Sequence, residues 1–332
     1  MDIRNTSEIK GAALRRLTDA GQAKRVAAIY AGVTLGLSAL VTILGLVLDG
    51  MMSGAGGLSG MGRRTVLSSA QSVLPVVSAL ITMCVELGYQ AAMLRVARGQ
   101  YTSPQTLRLG FDRFWVLLRC ILLEGVILFA IAFGGIYIAT MLFMLTPFSG
   151  RVMEVLSPVL DNVTLLRPEM VLDEALYDQL MQAMIPAFVM CAIVVAAAAI
   201  PVLYRLRMAR FVIIDKPGIG ALAALRESRK MMRGNCLRLV KLDISLWPYY
   251  IGCVFASLLC YGDVLLPMMG VRFPWSDTVS YYLFFALYLA VQFAVYYFLK
   301  NQAEVAYSIA YDSIRPKEPK TEGVALGSIF GN

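Results

Sequence analysis

The sequence predicts an all-α, polytopic integral membrane protein with six transmembrane helices and amphipathic helices on the cytosolic side. Three observations predict it. Of the 332 residues, 58% are hydrophobic and 16% charged, with a mean hydropathy of +0.68, whereas soluble domains carry about 25% charged residues. Six apolar runs meet, or come close to, the roughly 20 helical residues that cross a hydrocarbon core of about 30 Å, and they are continuous rather than alternating, which excludes barrel strands. Finally, 25 of the 30 Lys and Arg residues fall in alternate connections between those runs.

Residues 1–25 form a polar, basic cytosolic segment in which Asn5 and Glu8 have capping-box spacing before the short amphipathic run IKGAALRRL. The membrane domain occupies 26–299, with spans at about 26–48, 65–94, 116–145, 184–204, 242–261 and 278–299. The first run, Val26 to Leu48, is too long for a signal-peptide core, which has about 7–15 apolar residues. Asp49 to Arg64 reads as a Gly-, Ser- and Met-rich turn region. The basic stretch Arg95 to Arg119 holds Phe111, Phe114 and Trp115, aromatic residues suited to the headgroup layer. Residues 146–183 are an acidic outer loop in which Pro168 to Met184 reads as an amphipathic helix. After the sixth span, 300–332 is a cytosolic tail: a helix carrying Tyr307 and Tyr311 on one face, then a Pro/Lys/Gly-rich piece from Arg315 that is too polar to fold.

Under the positive-inside rule the 25-to-5 distribution of Lys and Arg places both termini in the cytosol, in a bacterial cytoplasmic membrane. The basic connection 205–241 carries ten of those cations. Its middle reads as a helix opening at Pro217, capped by Asp215 or Lys216 and stopped at Gly234-Asn235. At 100° per residue Arg226, Arg229, Lys230 and Arg233 share one face, and Ala221, Ala224, Leu225, Met231 and Met232 the other. A helix of this kind is expected along the membrane surface, its cations toward anionic headgroups or an acidic cytosolic partner.

The composition also excludes chemistry. The chain has no His, which removes His-based acid–base catalysis, Ser-His and Cys-His pairs and imidazole zinc sites. Six cysteines (84, 120, 191, 236, 253, 260) make no CxxC pair and read as buried free thiols. GGLSG at Gly56 to Gly60 and GIG at Gly218 to Gly220 lack the ending and flanking elements of a phosphate loop. No metal, no cofactor, no nucleic-acid partner and no enzymatic activity are expected.

The run from Ile213 to Ser245, IIDKPGIGALAALRESRKMMRGNCLRLVKLDIS, resembles the signature of a bacterial polytopic membrane family, domain of unknown function 975. The matching features are the Lys216-Pro217 turn, Gly220 to Leu225, Ser228-Arg229 and Met232 to Asn235. Weaker matches lie at Ser7 to Leu17, Leu87 to Gly99 and Ala303 to Ile314. The chain departs from the family pattern in lacking a Trp after its first helix and in its long acidic outer loop. The family is similar to the membrane portion fused to some glycerophosphodiester phosphodiesterases, whose catalytic domain has no counterpart here. The resemblance implies topology and no activity.

Four polar residues fall within or at the edge of spans, where ionisable groups are expensive and mark candidate sites. Glu86 and Glu124 lie toward the cytosolic ends of their spans; Glu86 is expected to pair with Tyr89, Gln90 or a nearby Arg. Asp243 is expected to snorkel or to pair with Lys241 or Arg238. Gln292 reads as interhelical glue. The favoured function is a non-enzymatic membrane-embedded binding, scaffold or accessory protein that contacts anionic lipid or a cytosolic partner through the basic loop, alone or as a homo-oligomer. The alternative is a transporter or permease for a small or amphiphilic solute, using Glu86, Glu124 and Gln292 in a polar cavity.

Overall fold

The structure, a computed structural model, describes residues 6–53, 58–164, 174–268, 270 and 274–315, and among them there is helix and no strand. In chain order the α-helices are α1 (Thr6–Asp19), α2 (Gly21–Ser53), α3 (Leu58–Ala97), α4 (Leu109–Asp112), α5 (Phe114–Met144), α6 (Phe148–Thr164), α7 (Glu174–Leu206), α8 (Ala209–Asp215), α9 (Ala221–Met231), α10 (Cys236–Ser245), α11 (Trp247–Cys260), α12 (Gly262–Met268), α13 (Asp277–Ala294) and α14 (Asn301–Ile314). A 3₁₀ turn, Pro104–Arg108, precedes α4, and a π-helical turn, Val295–Lys300, joins α13 to α14.

Five helical runs are long and apolar enough to cross a membrane: Gly21–Met52, Thr65–Ala97, Phe114–Met144, Gln179–Asp215 and Thr278–Ile314. Five of the expected spans are therefore present. The sixth differs. The span expected at 242–261 is a bent pair, α10 and α11, turning through 63° at Leu246, with Pro248 in the first turn of α11. Proline lacks the amide that would continue the ladder of α10, so the break falls where the chemistry allows it.

Several boundaries also move. The helices reach into the expected turn region at 49–64, since α2 runs to Ser53 and α3 starts at Leu58. α6 occupies part of the acidic loop, where no helix was expected, and the helix expected at 168–184 is, from Glu174 on, the opening of α7. The basic-loop helix starts at Ala221 with Gly220 as its cap, not at Pro217. Gly218, at φ +88°, makes a turn between Pro217 and the helix. Its end agrees, with Gly234 in the left-handed region at φ +84°. Asn5 and the tail beyond Arg315 lie outside the described residues.

The chain divides into two compact units, residues 1–117 with 208–332, and 118–207. In the first unit α2 and α3 pair along their length, and α3 also packs against the 3₁₀ turn, α4 and α14. Two glycines make that approach possible: a Cβ on Gly88 would lie 2.2 Å from the Leu107 carbonyl oxygen, and one on Gly110 would lie 1.8 Å from that of Cys84. α14, expected as a peripheral tail, is instead the centre of the unit, with Asn301 and Ala303 to Tyr311 buried. α1 packs Ile9, Ala13 and Leu17 inward and contacts α14, α10, α2 and α3. The second unit contains most of α5 together with α6 and α7. There Gly135 lets α5 approach α7, its missing Cβ falling 3.0 Å from Val195. All the cysteines are free thiols.

Candidate functional site

The first unit holds a buried polar cluster built on α2, α3 and the π-turn. Glu86 on α3 does not pair with Arg95 or Gln90. Lys300, 214 residues away, donates to its Oε2 at 2.8 Å, and the Tyr30 hydroxyl donates to the same oxygen. Lys300 also donates to the Tyr30 oxygen at 2.6 Å. Its Nζ stands 4.4 Å from the Tyr30 ring centroid, 4.8 Å from that of Tyr296 and 5.6 Å from that of Tyr89. The ammonium thus has a carboxylate on one side and aromatic faces on the others. Tyr30 and Tyr89 stack at 4.2 Å, and Tyr89 donates to Asn301 Oδ1 at 2.5 Å. Gln90, one of the partners expected for Glu86, is buried with its Oε1 unpaired.

The π-turn explains how Lys300 reaches this site. An extra residue in one turn offsets all following residues by about 100° around the axis relative to an uninterrupted α-helix, and such turns recur at functional positions. Asn301 Nδ2 donates to the Tyr297 carbonyl at 2.6 Å within the same segment.

A second cluster surrounds Asp243 of α10. Its carboxylate is buried and accepts from the Tyr307 hydroxyl at 2.5 Å and from Tyr250 at 3.2 Å, while the two hydroxyls are 2.7 Å apart. Of the two expectations for Asp243, snorkelling or pairing with Lys241 or Arg238, the first does not hold, since the side chain is buried. Tyr307 satisfies it inside the protein, so the side chain has no need of the surface. Gln292 of α13 is also buried.

A third group joins segments distant in sequence. Arg98 binds Asp312 with two nitrogens, at 2.7 and 3.0 Å, and reaches Asp215 at 2.8 Å; Arg315 also binds Asp215. The hydrogen bond to Asp312, with Asp215 beside it, holds the Arg98 guanidinium even further above its ordinary range against the opposing effect of burial. Arg113 donates to the Ile213 and Ile214 carbonyls, and Lys10 to that of Ser245. The segments carrying these residues are the four in which the cations concentrate: the N-terminal helix, the 95–119 connection, the 205–241 connection and the tail helix. Within the first unit these contacts join them.

The cations of α9 lie where the helical wheel puts them. Arg226, Arg229 and Lys230 of α9 and Arg233, two residues past its end at Met231, are all exposed, while Ala221, Ala224, Leu225, Ser228 and Met231 are buried. The buried face packs against α8, so Ala221, Ala224, Leu225 and Met231 are covered by protein, while Leu222 stays exposed. Glu227, on the same helix, is held by Lys216 at 2.6 Å.

Glu124 belongs to the second unit, where Cys120 Sγ, one turn earlier on α5, lies 3.9 Å from its Oε1. Among the described residues no group of three or more His, Cys, Asp or Glu side chains is placed to hold a metal.

The family described as Protein of unknown function (DUF975) matches residues 1–317. The chain belongs to this family. Neither a curated protein nor a solved structure matches it. The family match covers all three clusters and the basic helix, so the whole arrangement is a property of a family member rather than of an appended segment.

Lys300, Tyr30, Asn301 and Tyr307 are the residues that sequence reasoning missed. Lys300 was counted among the cations outside the bilayer because it ends an apolar run. The available signal was the flanking pattern YYFLKNQAE, where a Lys-Asn pair interrupts a helix that otherwise continues without a stop.

Proposed function

We propose that this protein is a non-catalytic, membrane-embedded binding protein that holds anionic lipid headgroups against the cation face of α9, on the cytosolic side of a bacterial inner membrane. The observation that carries the reading is the exposure of Arg226, Arg229 and Lys230 on one face of α9, with Arg233 exposed just past its end, while the opposite face of the helix is anchored in protein. Each such cation near an anionic surface is worth about 1 kcal/mol. A rigid helix presents them without the ordering cost of a loop. The direct contact between α1 and α14 supports termini on one side, and the excess of cations in the joined segments supports that side being the cytosol.

The transport reading is weaker. Glu86 is occupied by Lys300 and Tyr30, so it is not left to meet a solute. The test of the lipid reading replaces all four cations by Glu and purifies both proteins in nanodiscs containing phosphatidylglycerol. Native mass measurement is expected to show anionic lipids retained by the wild type and lost from the variant. Equal retention by a variant that still inserts would refute the proposal.

A further inference from the structure

The helix after α9 has the opposite construction. α10 buries Leu239, Leu242 and Asp243, and exposes Leu237, Arg238, Lys241 and Ile244. Leu237, Lys241 and Ile244 recur at four- and three-residue spacing, so they form one stripe along the helix. Leu237 is 76% exposed and Ile244 68%, and Trp247, at the bend, is 60% exposed. Where α9 shows charge and hides its apolar face, α10 shows apolar side chains flanked by charge.

We infer that α10 lies in the plane of the membrane surface, with Leu237, Ile244 and Trp247 entering the boundary between headgroups and acyl chains and Arg233, Arg238 and Lys241 reaching lipid phosphates. Four observations select lipid as the occupant. The exposed stripe is too apolar for water and too cationic for the hydrocarbon centre, a composition that matches only the interface. The 63° bend turns α10 away from α11, the apolar helix that continues from it. Trp247 opens α11 as the exposed Trp115 opens α5, and Trp collects where apolar helices meet headgroups. The inner face is fixed by Tyr307, Tyr250 and Lys10, so the outer stripe cannot turn inward. Taken alone, α11 spans about 21 Å, and α12 has to extend the apolar run to complete a crossing.

This inference rests on the chain being embedded in a membrane, but not on lipid retention by α9. Trp115 and Trp275 are changed to Phe in the full chain, leaving Trp247 as the sole tryptophan. The protein is then reconstituted into vesicles of phosphatidylcholine and phosphatidylglycerol, with phosphatidylcholine brominated either near the headgroup or near the bilayer centre. Shallow bromines are expected to quench Trp247 about twofold more than deep ones, with little quenching by aqueous iodide. L237E/I244E in the same background should reverse that order in favour of iodide, and L237A/I244A should give a smaller change in the same direction if the charged variant fails to fold. Strongest quenching by deep bromines would overturn the inference and make α10–α11 a bent span through the core. Strong iodide quenching without bromine quenching, in protein that floats with the vesicles, would also overturn it while leaving the membrane-embedded reading intact.

Discussion

The two units both carry long apolar helical runs, more hydrophobic in unit 2 than in unit 1, and they differ in their visible contacts. In unit 1, residues 1–117 and 208–332, the strongest contacts are polar and lie where the membrane runs meet their connections: Glu86 with Lys300 and Tyr30, Asp243 with Tyr307, and Arg98 with Asp215 and Asp312. In unit 2, residues 118–207, Phe129, Phe133, Tyr137, Phe188 and Ile193 are all more than half exposed, and the most hydrophobic window of Gln179–Asp215 has no buried residue. Its visible inter-helix device is a small-residue contact, Gly135 against Val195. Lipid is as apolar as leucine, so burying such side chains against each other gains little in a bilayer, and close packing is what remains. Unit 1 joins distant segments through buried polar groups, whereas unit 2 turns these large apolar side chains outward.

The comparison breaks most sharply at the buried pair. Lys300→Met strands the Glu86 carboxylate inside unit 1 and is expected to cost about 3–5 kcal/mol, read as a lower midpoint in SDS-driven unfolding of the protein in mixed micelles. The double change Glu86→Leu with Lys300→Met should recover most of that loss, since an apolar pair has no charge to strand. A single variant as stable as wild type would show the pair to be idle.

A second contrast uses one substitution in both units. Gly110→Ala drives a methyl group into the Cys84 carbonyl, a backbone atom that cannot rotate away, and should cost about 3 kcal/mol. Gly134→Ala on α5 meets nothing within 4 Å and should shift the same midpoint by less than about 0.5 kcal/mol. Equal effects would show that the close approach at Gly110 does not constrain the backbone. A smaller loss than at Gly110 is expected for Tyr307→Phe, which keeps the ring and deletes the hydroxyl that donates to Asp243, at about 1–2 kcal/mol. Hydrogen exchange of the α10 amides should rise with it, because that bond fixes the helix to α14.

Helix existence was legible because apolar run length answers directly to bilayer thickness, and the cation face of α9 was legible because four residues at helical spacing need only the 100° rule. The stop at Gly234 was equally readable, since a left-handed residue there favours glycine. The start at Ala221 was not: Pro217 fits a first helical turn, yet the Gly218 turn and the Arg98 and Arg315 contacts to Asp215 hold the preceding residues in another arrangement.

By itself, then, the sequence determined that this is a helical protein suited to a membrane, roughly where each crossing falls, and which connections carry the charge, because these depend on local composition and spacing. Only the tertiary structure decided that Lys300 answers Glu86, that Tyr307 rather than the surface satisfies Asp243, that the tail helix lies at the centre of a unit, and that the fifth run bends. Those outcomes follow from which distant groups can satisfy a buried charge, and a partner 214 residues away leaves no mark in local spacing.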